Sequence, residues 1–370
     1  MNKKYIWVIV VMLIIVGLLL VTSKEPRDTK SIKIGVIAPL TGNFAVIGER
    51  VKNGFELAKE DILKENKLKS VDLIIEDACQ PKEATAAAQK LSQIDKVDIL
   101  GGSFCVIGFV PSVPIFEKAK IITFNTSQNP DSVLNKKYVI STNSAIKDKA
   151  HQIAQYAYKK LAARTAAVIY YNTPLGQDYN KYISETFEKA GGKIISSEVT
   201  LVDATDFRTQ LTKIKGQNTD IIFVVQLANP LGNLLKQARE LGVKSIIIGN
   251  SQNEDPSIIE SAGLAAEGFV ISSDEPLPKT DKINDFAMRY EQKFGQKADI
   301  FSSNSYDALM LQAQVYTVCG GETECMLQKL HEVKDYPGVS GNITINPDGS
   351  ASKGTAFKVV RNGQFIKLEK

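Results

Sequence analysis

Histidine is almost missing from this sequence: His151 and His331 are the only two in 370 residues. Neither stands beside a cysteine pair at metal-ligand spacing, so no metal site and no cofactor is expected. The nucleotide fingerprints are missing too. The first strand-like run leads into Pro39-Leu-Thr-Gly-Asn-Phe44 rather than G-x-G-x-x-G, and G-x-x-x-x-G-K-[ST] occurs nowhere. Nor is there a G-x-S-x-G elbow or an H-E-x-x-H pair, and no carboxylates form an acid/base pair by spacing. These absences argue against an enzyme. No basic block is interleaved with aromatics. The 45 basic and 41 acidic residues are scattered and leave a net charge of +4, so nucleic acid is not an expected partner.

A chain of 370 residues exceeds one ordinary domain and suits two lobes. Its start is distinctive: Lys3 and Lys4 precede an unbroken apolar run from Ile6 to Val21. At helical rise that run covers about 24 Å, a little short of the bilayer core. It reads as a signal peptide or an uncleaved anchor. The exit through Val21-Thr22-Ser23-Lys24 holds neither a small-x-small cleavage site nor a lipid-bearing cysteine, which favours the anchor. Residues 1–23 are therefore expected at the membrane, 24–30 as a polar linker, and the rest on the extracytoplasmic side. Cysteine number agrees with export. Four cysteines, Cys79, Cys105, Cys319 and Cys325, suggest two disulfides, with three pairings open.

From Ile32 onward the chain alternates β-branched runs of strand length with longer amphipathic stretches. The runs include Ile32–Ile37, Val71–Glu76, Ala166–Tyr171 and Asp220–Gln226; the stretches between them include Val51–Ile62, Tyr179–Ala190 and Leu231–Leu241. This rhythm predicts parallel sheets covered by helices. It occurs in two blocks, followed by helices and a strand-rich tail. The expected fold class is α/β, with two doubly wound, Rossmann-like lobes joined by three hinge crossovers near residues 145, 275 and 337. Lobe 1 would hold 31–145 plus 276–337, and lobe 2 would hold 146–275 plus 338–370. Ligands of such sheets bind at the carboxyl ends of the strands. That rule points to the loops 39–48, 101–107, 125–130, 172–177, 226–229 and 250–255, which are rich in hydroxyls, amides and glycine.

Several segments in order carry a family resemblance. They are Ile34-Gly-Val-Ile-Ala-Pro-Leu-Thr-Gly42 with Gly48 and Gly54, Glu76-Asp-Ala-Cys-Gln-Pro81, Gly101-Gly-Ser-Phe-Cys105, Tyr306-Asp-Ala308, and Gly338-Val-Ser-Gly341 with Asn346-Pro-Asp-Gly349. From Lys33 to Leu368 the chain resembles the type I periplasmic binding proteins, in particular the branched-chain amino-acid binding proteins of ATP-driven (ABC) transporters. The resemblance implies the two-lobed fold and a bridge between Cys79 and Cys105. Loop closure of that span would contribute about 3 kcal/mol, and a Cys319–Cys325 bridge about 2. It also implies a ligand's carboxylate held on lobe 1 near Thr41, Gly42, Cys105, Val106, Ser127 and Asn129, with Phe301 an aromatic beside the cleft. Closure would then bring in Leu175, Gln226, Ser251 and Glu254.

The chain departs from the family pattern at three kinds of position. Val106 replaces a serine; Ile47, Leu175 and Leu227 replace aromatics. The acid expected to pair with an α-ammonium falls on Ser251, with Glu254 and Asp255 a few residues on. The resemblance thus implies a substrate-binding protein that hands an amino acid, amide or related carboxylate to ABC permease subunits. A membrane-tethered sensor ectodomain is the alternative, and it would have to signal through a partner.

Overall fold

The alternation of strands and helices resolves into two parallel sheets in the computed structural model, which describes residues 31–275 and 280–368. The expected membrane segment and linker lie outside the described residues. No described helix is long and apolar enough to cross a membrane.

The first sheet holds β1 (Ser31–Ala38), β2 (Ser70–Asp77), β3 (Ile99–Ser103), β4 (Ile122–Asn125) and β5 (Val139–Ser141). Their order is β2-β1-β3-β4-β5, parallel throughout. The second holds β6 (Thr165–Tyr171), β7 (Lys193–Thr200), β8 (Ile221–Val225), β9 (Ile246–Gly249) and β10 (Val270–Asp274). Helices cover both sheets. In lobe 1 they are α1 (Ala45–Lys64), α2 (Pro81–Gln89) and α3 (Val106–Ala119); in lobe 2 they are α4 (Ile146–Lys159), α5 (Pro174–Lys189), α6 (Arg208–Gln217), α7 (Ala228–Glu240) and α8 (Pro256–Ala262). The chain then adds α9 (Asp281–Phe294), α10 (Ile300–Cys319) and α11 (Thr323–His331). Tyr290, Tyr306, Leu309 and Tyr316 of α9 and α10 join the core that β1 and α1 build.

The tail differs from the expected split at residue 337. Short strands β11 (Tyr336–Pro337), β12 (Asn342–Ile345) and β13 (Ala351–Ser352) form a small antiparallel sheet. Ile343, Ile345 and Ala351 are buried in the lobe 1 core, so the apolar face of this segment has its partner there. Only β14 (Thr355–Arg361) and β15 (Gln364–Lys367) join the second sheet, antiparallel beside β10. The third crossing therefore falls between Ser352 and Thr355. Asn362 and Gly363 at the β14–β15 turn have φ of 51° and 71°, the two left-handed residues that a tight hairpin demands.

The crossings are knitted together. Ala351 N–H donates to the Asn143 carbonyl (2.8 Å) and Glu275 N–H to the Gly354 carbonyl (2.8 Å). Lys149 pairs with Asp274, the side chains being 6% and 16% exposed. Residues 276–279 of the second crossing lie outside the described set. Both disulfides are present, Cys79–Cys105 and Cys319–Cys325.

The close approach of α1 to the strand before it depends on Gly48. A Cβ there would lie 1.9 Å from the Pro39 carbonyl oxygen, inside any van der Waals contact. Gly48→Ala must push α1 off the end of β1, at a cost of about 2–3 kcal/mol. Urea denaturation should show the loss as a lower midpoint.

Farther along α1, Asp61 accepts from Arg289 (2.6 and 2.8 Å) and from the Tyr306 hydroxyl (2.6 Å), tying α9 and α10 to α1. Burial would raise its pKa, but these hydrogen bonds and the Arg289 charge outweigh it and hold the carboxyl below its ordinary value of 3.8. A depressed carboxylate stabilises the fold above its unfolded pKa and stops doing so as pH falls through the folded value. Stability should therefore drop below about pH 4, and in Asp61→Asn the acid-dependent part should shrink. Urea midpoints at pH 6 and pH 3 check this.

Candidate functional site: a cleft between the lobes

Loops from the carboxyl ends of both parallel sheets line one cleft. It has two chambers, of ≈ 880 and ≈ 710 Å³. Arg50, Ser127, Gln252, Asp255, Ser257 and Phe301 line both and form the throat between them. The larger chamber is walled by apolar groups, among them Phe44, Phe104, Val106, Leu175, Leu227 and Phe301. Phe104 and Phe301 meet edge to face at 5.1 Å. The smaller chamber is the more polar of the two, with Gln128, Asn143, Ser251, Asp274, Asn304 and Lys358 in its wall.

Lobe 1 brings hydrogen-bond donors. The Cys79–Cys105 bridge pins the loop after β2 to the start of α3, and Cys105 caps α3 without a side-chain bond. Val106 and Ile107 line the larger chamber, and their N–H groups have no acceptor among the described residues. Free N–H groups at a helix start favour an anion. Ser127 is buried in the throat; its N–H donates to Asn125 Oδ1 (3.0 Å), while its hydroxyl has no described partner.

Lobe 2 brings carboxylates, and Glu254 and Asp274 among them are already occupied. Glu254 pairs with Lys358 and accepts from the Ser273 hydroxyl. Burial pushes the Asp274 carboxyl up, but Lys149 and other nearby cations outweigh it and keep its pKa below the ordinary value. Asp255 is different. Its Oδ1 accepts the Ser257 N–H (2.8 Å) as the cap of α8; Oδ2 carries no described bond. The loop holding it is rigid: Asn250 and Asn253 form a reciprocal capping box, and Asn253 Nδ2 donates to the Gln226 carbonyl (2.8 Å).

Cys105, Val106, Ser127, Leu175, Ser251, Glu254 and Phe301 therefore line the cleft. Thr41, Gly42, Asn129 and Gln226 do not, because their groups are used elsewhere. The Thr41 hydroxyl donates to Asp77 (2.7 Å), and Gly42, at φ +74°, makes the turn into α1. Asn129 is buried as a loop anchor, donating to Ser141 Oγ (2.9 Å) and the Asn143 carbonyl (2.8 Å). Gln226 donates to Thr200 Oγ1 (2.9 Å) inside lobe 2. Among the cleft residues not singled out in the sequence are Arg50, Phe104 and Gln128, the last two inside the loops 101–107 and 125–130 that strand order had pointed to. Gln128 Nε2 donates to Ser251 Oγ (3.1 Å), joining the lobes in the wall of the smaller chamber. The spacing of Arg50 one turn after Ile47 on α1 was the available signal for it.

Two parallel α/β lobes that face each other through their strand-end loops, joined by three crossings, define a periplasmic-binding-protein architecture. The chain belongs to the periplasmic binding protein family, which it matches over residues 31–364. Its fold is that of the type I members, as in the solved structures it resembles. It is 24% identical over 264 residues to the Leu/Ile/Val-binding protein of Citrobacter freundii, covering 70% of this chain and 72% of that one. A leucine binding protein from Thermotoga maritima superposes with a TM-score of 0.84 at 24% identity, covering 91% and 98%. A Rhodopseudomonas palustris solute binding protein solved with benzoate gives 0.79 at 17% identity, covering 91% and 95%. At these identities the solved structures bear on the fold alone.

Proposed function

We propose that this chain is the extracytoplasmic substrate-binding protein of an ABC importer, held at the membrane by its N-terminal apolar segment. It captures a small carboxylate-bearing solute, an amino acid first of all, and presents the closed form to the permease. One observation carries the reading. The free N–H groups at the start of α3 and the Ser127 hydroxyl on lobe 1 share the cleft with the half-occupied Asp255 carboxylate on lobe 2. A carboxylate docks on the first set and an ammonium on the second, while an apolar body fills the Phe104/Phe301 chamber. Because the two sets sit on different lobes, a solute that meets both favours the closed arrangement, which is the differential affinity that closure requires. The names of the Leu/Ile/Val-binding and leucine binding relatives support a carboxylate with an apolar body. The benzoate-bound relative supports the same class without an ammonium.

Closure is testable because both described cysteine pairs are bridged and no free thiol competes for a label. Dyes on Glu49→Cys of α1 and Leu201→Cys after β7 report the distance across the cleft mouth. Energy transfer between them should rise with a binding solute. A solute that binds without changing it would contradict capture by closure.

A further inference from the structure

Arg50 is the only Lys, Arg or His among the described residues that line the larger chamber, and it also lines the smaller one beside Ser127. Its guanidinium is anchored at a single nitrogen: Nη1 meets Asp299 Oδ2 at 2.8 Å. Asp299 is itself occupied, since its Oδ1 accepts the Ser302 N–H (3.0 Å) as the cap of α10. Arg50 Nε is buried and has no acceptor. A guanidinium offers five donors in a planar fork, so most of this one is unspent. The side chain remains about a third exposed, at 32%, on the helix face that looks into the cleft with Ile47. Meanwhile the anion end of lobe 1 is short of donors: Val106 contributes a backbone N–H but no hydroxyl, leaving Ser127 as its one unpaired hydroxyl in the throat.

We propose that Arg50 is a specificity-determining residue that holds the solute's anionic group together with Ser127 and the start of α3. This deepens the reading given under the proposed function and rests on it. Asp299 steers the fork and leaves its remaining donors for the ligand, and a fork paired with a carboxylate gives geometric selection that a single N–H cannot. The cleft therefore distinguishes a carboxylate from the same molecule with its acid capped. An amide keeps the shape and the apolar body, but it presents a donor and no charge where Arg50 needs an acceptor.

Calorimetric titration of the full chain in mild detergent tests this with acid and amide pairs: L-leucine and L-leucinamide, L-phenylalanine and its amide, benzoate and benzamide. Wild type should prefer the acid of its best pair by 100-fold or more. In Arg50→Gln that preference should fall at least tenfold, with the amide's affinity within threefold of wild type; Arg50→Lys should recover part of it. An acid-to-amide ratio unchanged in Arg50→Gln would overturn the role of Arg50 and leave solute capture standing. Equal loss for acid and amide would also overturn it, since a merely structural residue behaves that way. If wild type bound no member of any pair, the capture reading would fail, and this inference with it.

Discussion

Asp255→Asn is expected to weaken binding of a zwitterionic amino acid by about 100-fold, while leaving the same acid without its ammonium nearly unaffected. The size follows from stranding a desolvated ammonium, for which losing a buried charge partner costs about 2–5 kcal/mol, and 100-fold is at the low end. The fold should not suffer. Asn caps a helix about as well as Asp, and the side-chain oxygen that accepts the Ser257 N–H survives the change. The proposed counter-charge is Asp255 rather than Glu254, because Glu254 is neutralised by Lys358 and its second oxygen is taken by Ser273. Titration of L-leucine and 4-methylpentanoate into wild type and variant measures the difference. Equal losses for both would mean that Asp255 shapes the loop without meeting an ammonium.

Removing the Cys79–Cys105 bridge should affect both stability and binding. The residues are 26 apart in sequence, and loop closure of that length contributes about 3 kcal/mol. The bridge also fixes the proposed carboxylate-binding surface at the cleft wall. Where α3 begins, a Cβ on Gly108 would lie 2.4 Å from the Cys79 carbonyl oxygen, so the loop and the first turn of α3 are in direct contact. Freed from the bridge, that loop can swing, and the Val106 and Ile107 N–H groups lose their fixed aim. Cys79→Ser with Cys105→Ser should thus lower both the urea midpoint and solute affinity. The other bridge provides the contrast. Cys319–Cys325 spans six residues, is worth about 2 kcal/mol by the same argument, and lines neither chamber. Its double serine variant should lose stability and keep affinity.

The parts of this architecture that were legible in the sequence are those with a strong period. β1, β6 and β8 read as strands because β-branched runs stood between amphipathic stretches, and the two βα blocks followed. α3 was not legible. Its sequence VIGFVPSVPIFEKA is apolar on almost every face and holds Pro111 and Pro114. No periodicity marks it, and each proline removes a helical hydrogen bond. Tertiary burial of Phe109, Val113 and Phe116 overrides that weakness. The segment 338–352 misled for another reason. Strand pattern tells that a residue pairs, and nothing in Asn342–Ile345 says which of two sheets or cores receives it. The candidate site divides in the same way. Loops could be placed at the cleft from strand order, but whether Asn129 faces a ligand or ties Ser141 to Asn143 depends on contacts between segments 12 and 14 residues apart. Beyond its spacing from Ile47, nothing local to Arg50 shows that its guanidinium is anchored by Asp299, 249 residues later in the chain.

The most direct test of solute capture is a thermal-shift screen of the full chain in mild detergent, stripped of carried-over ligand by partial unfolding. The solutes would be branched and aromatic amino acids, their amides, benzoates, urea, polyamines, nucleosides and small sugars. A ligand at about 1,000 times its dissociation constant adds about 4 kcal/mol, so a carboxylate with an apolar body should raise the melting temperature clearly. Refolded, monodisperse protein that no carboxylate stabilises would contradict the account.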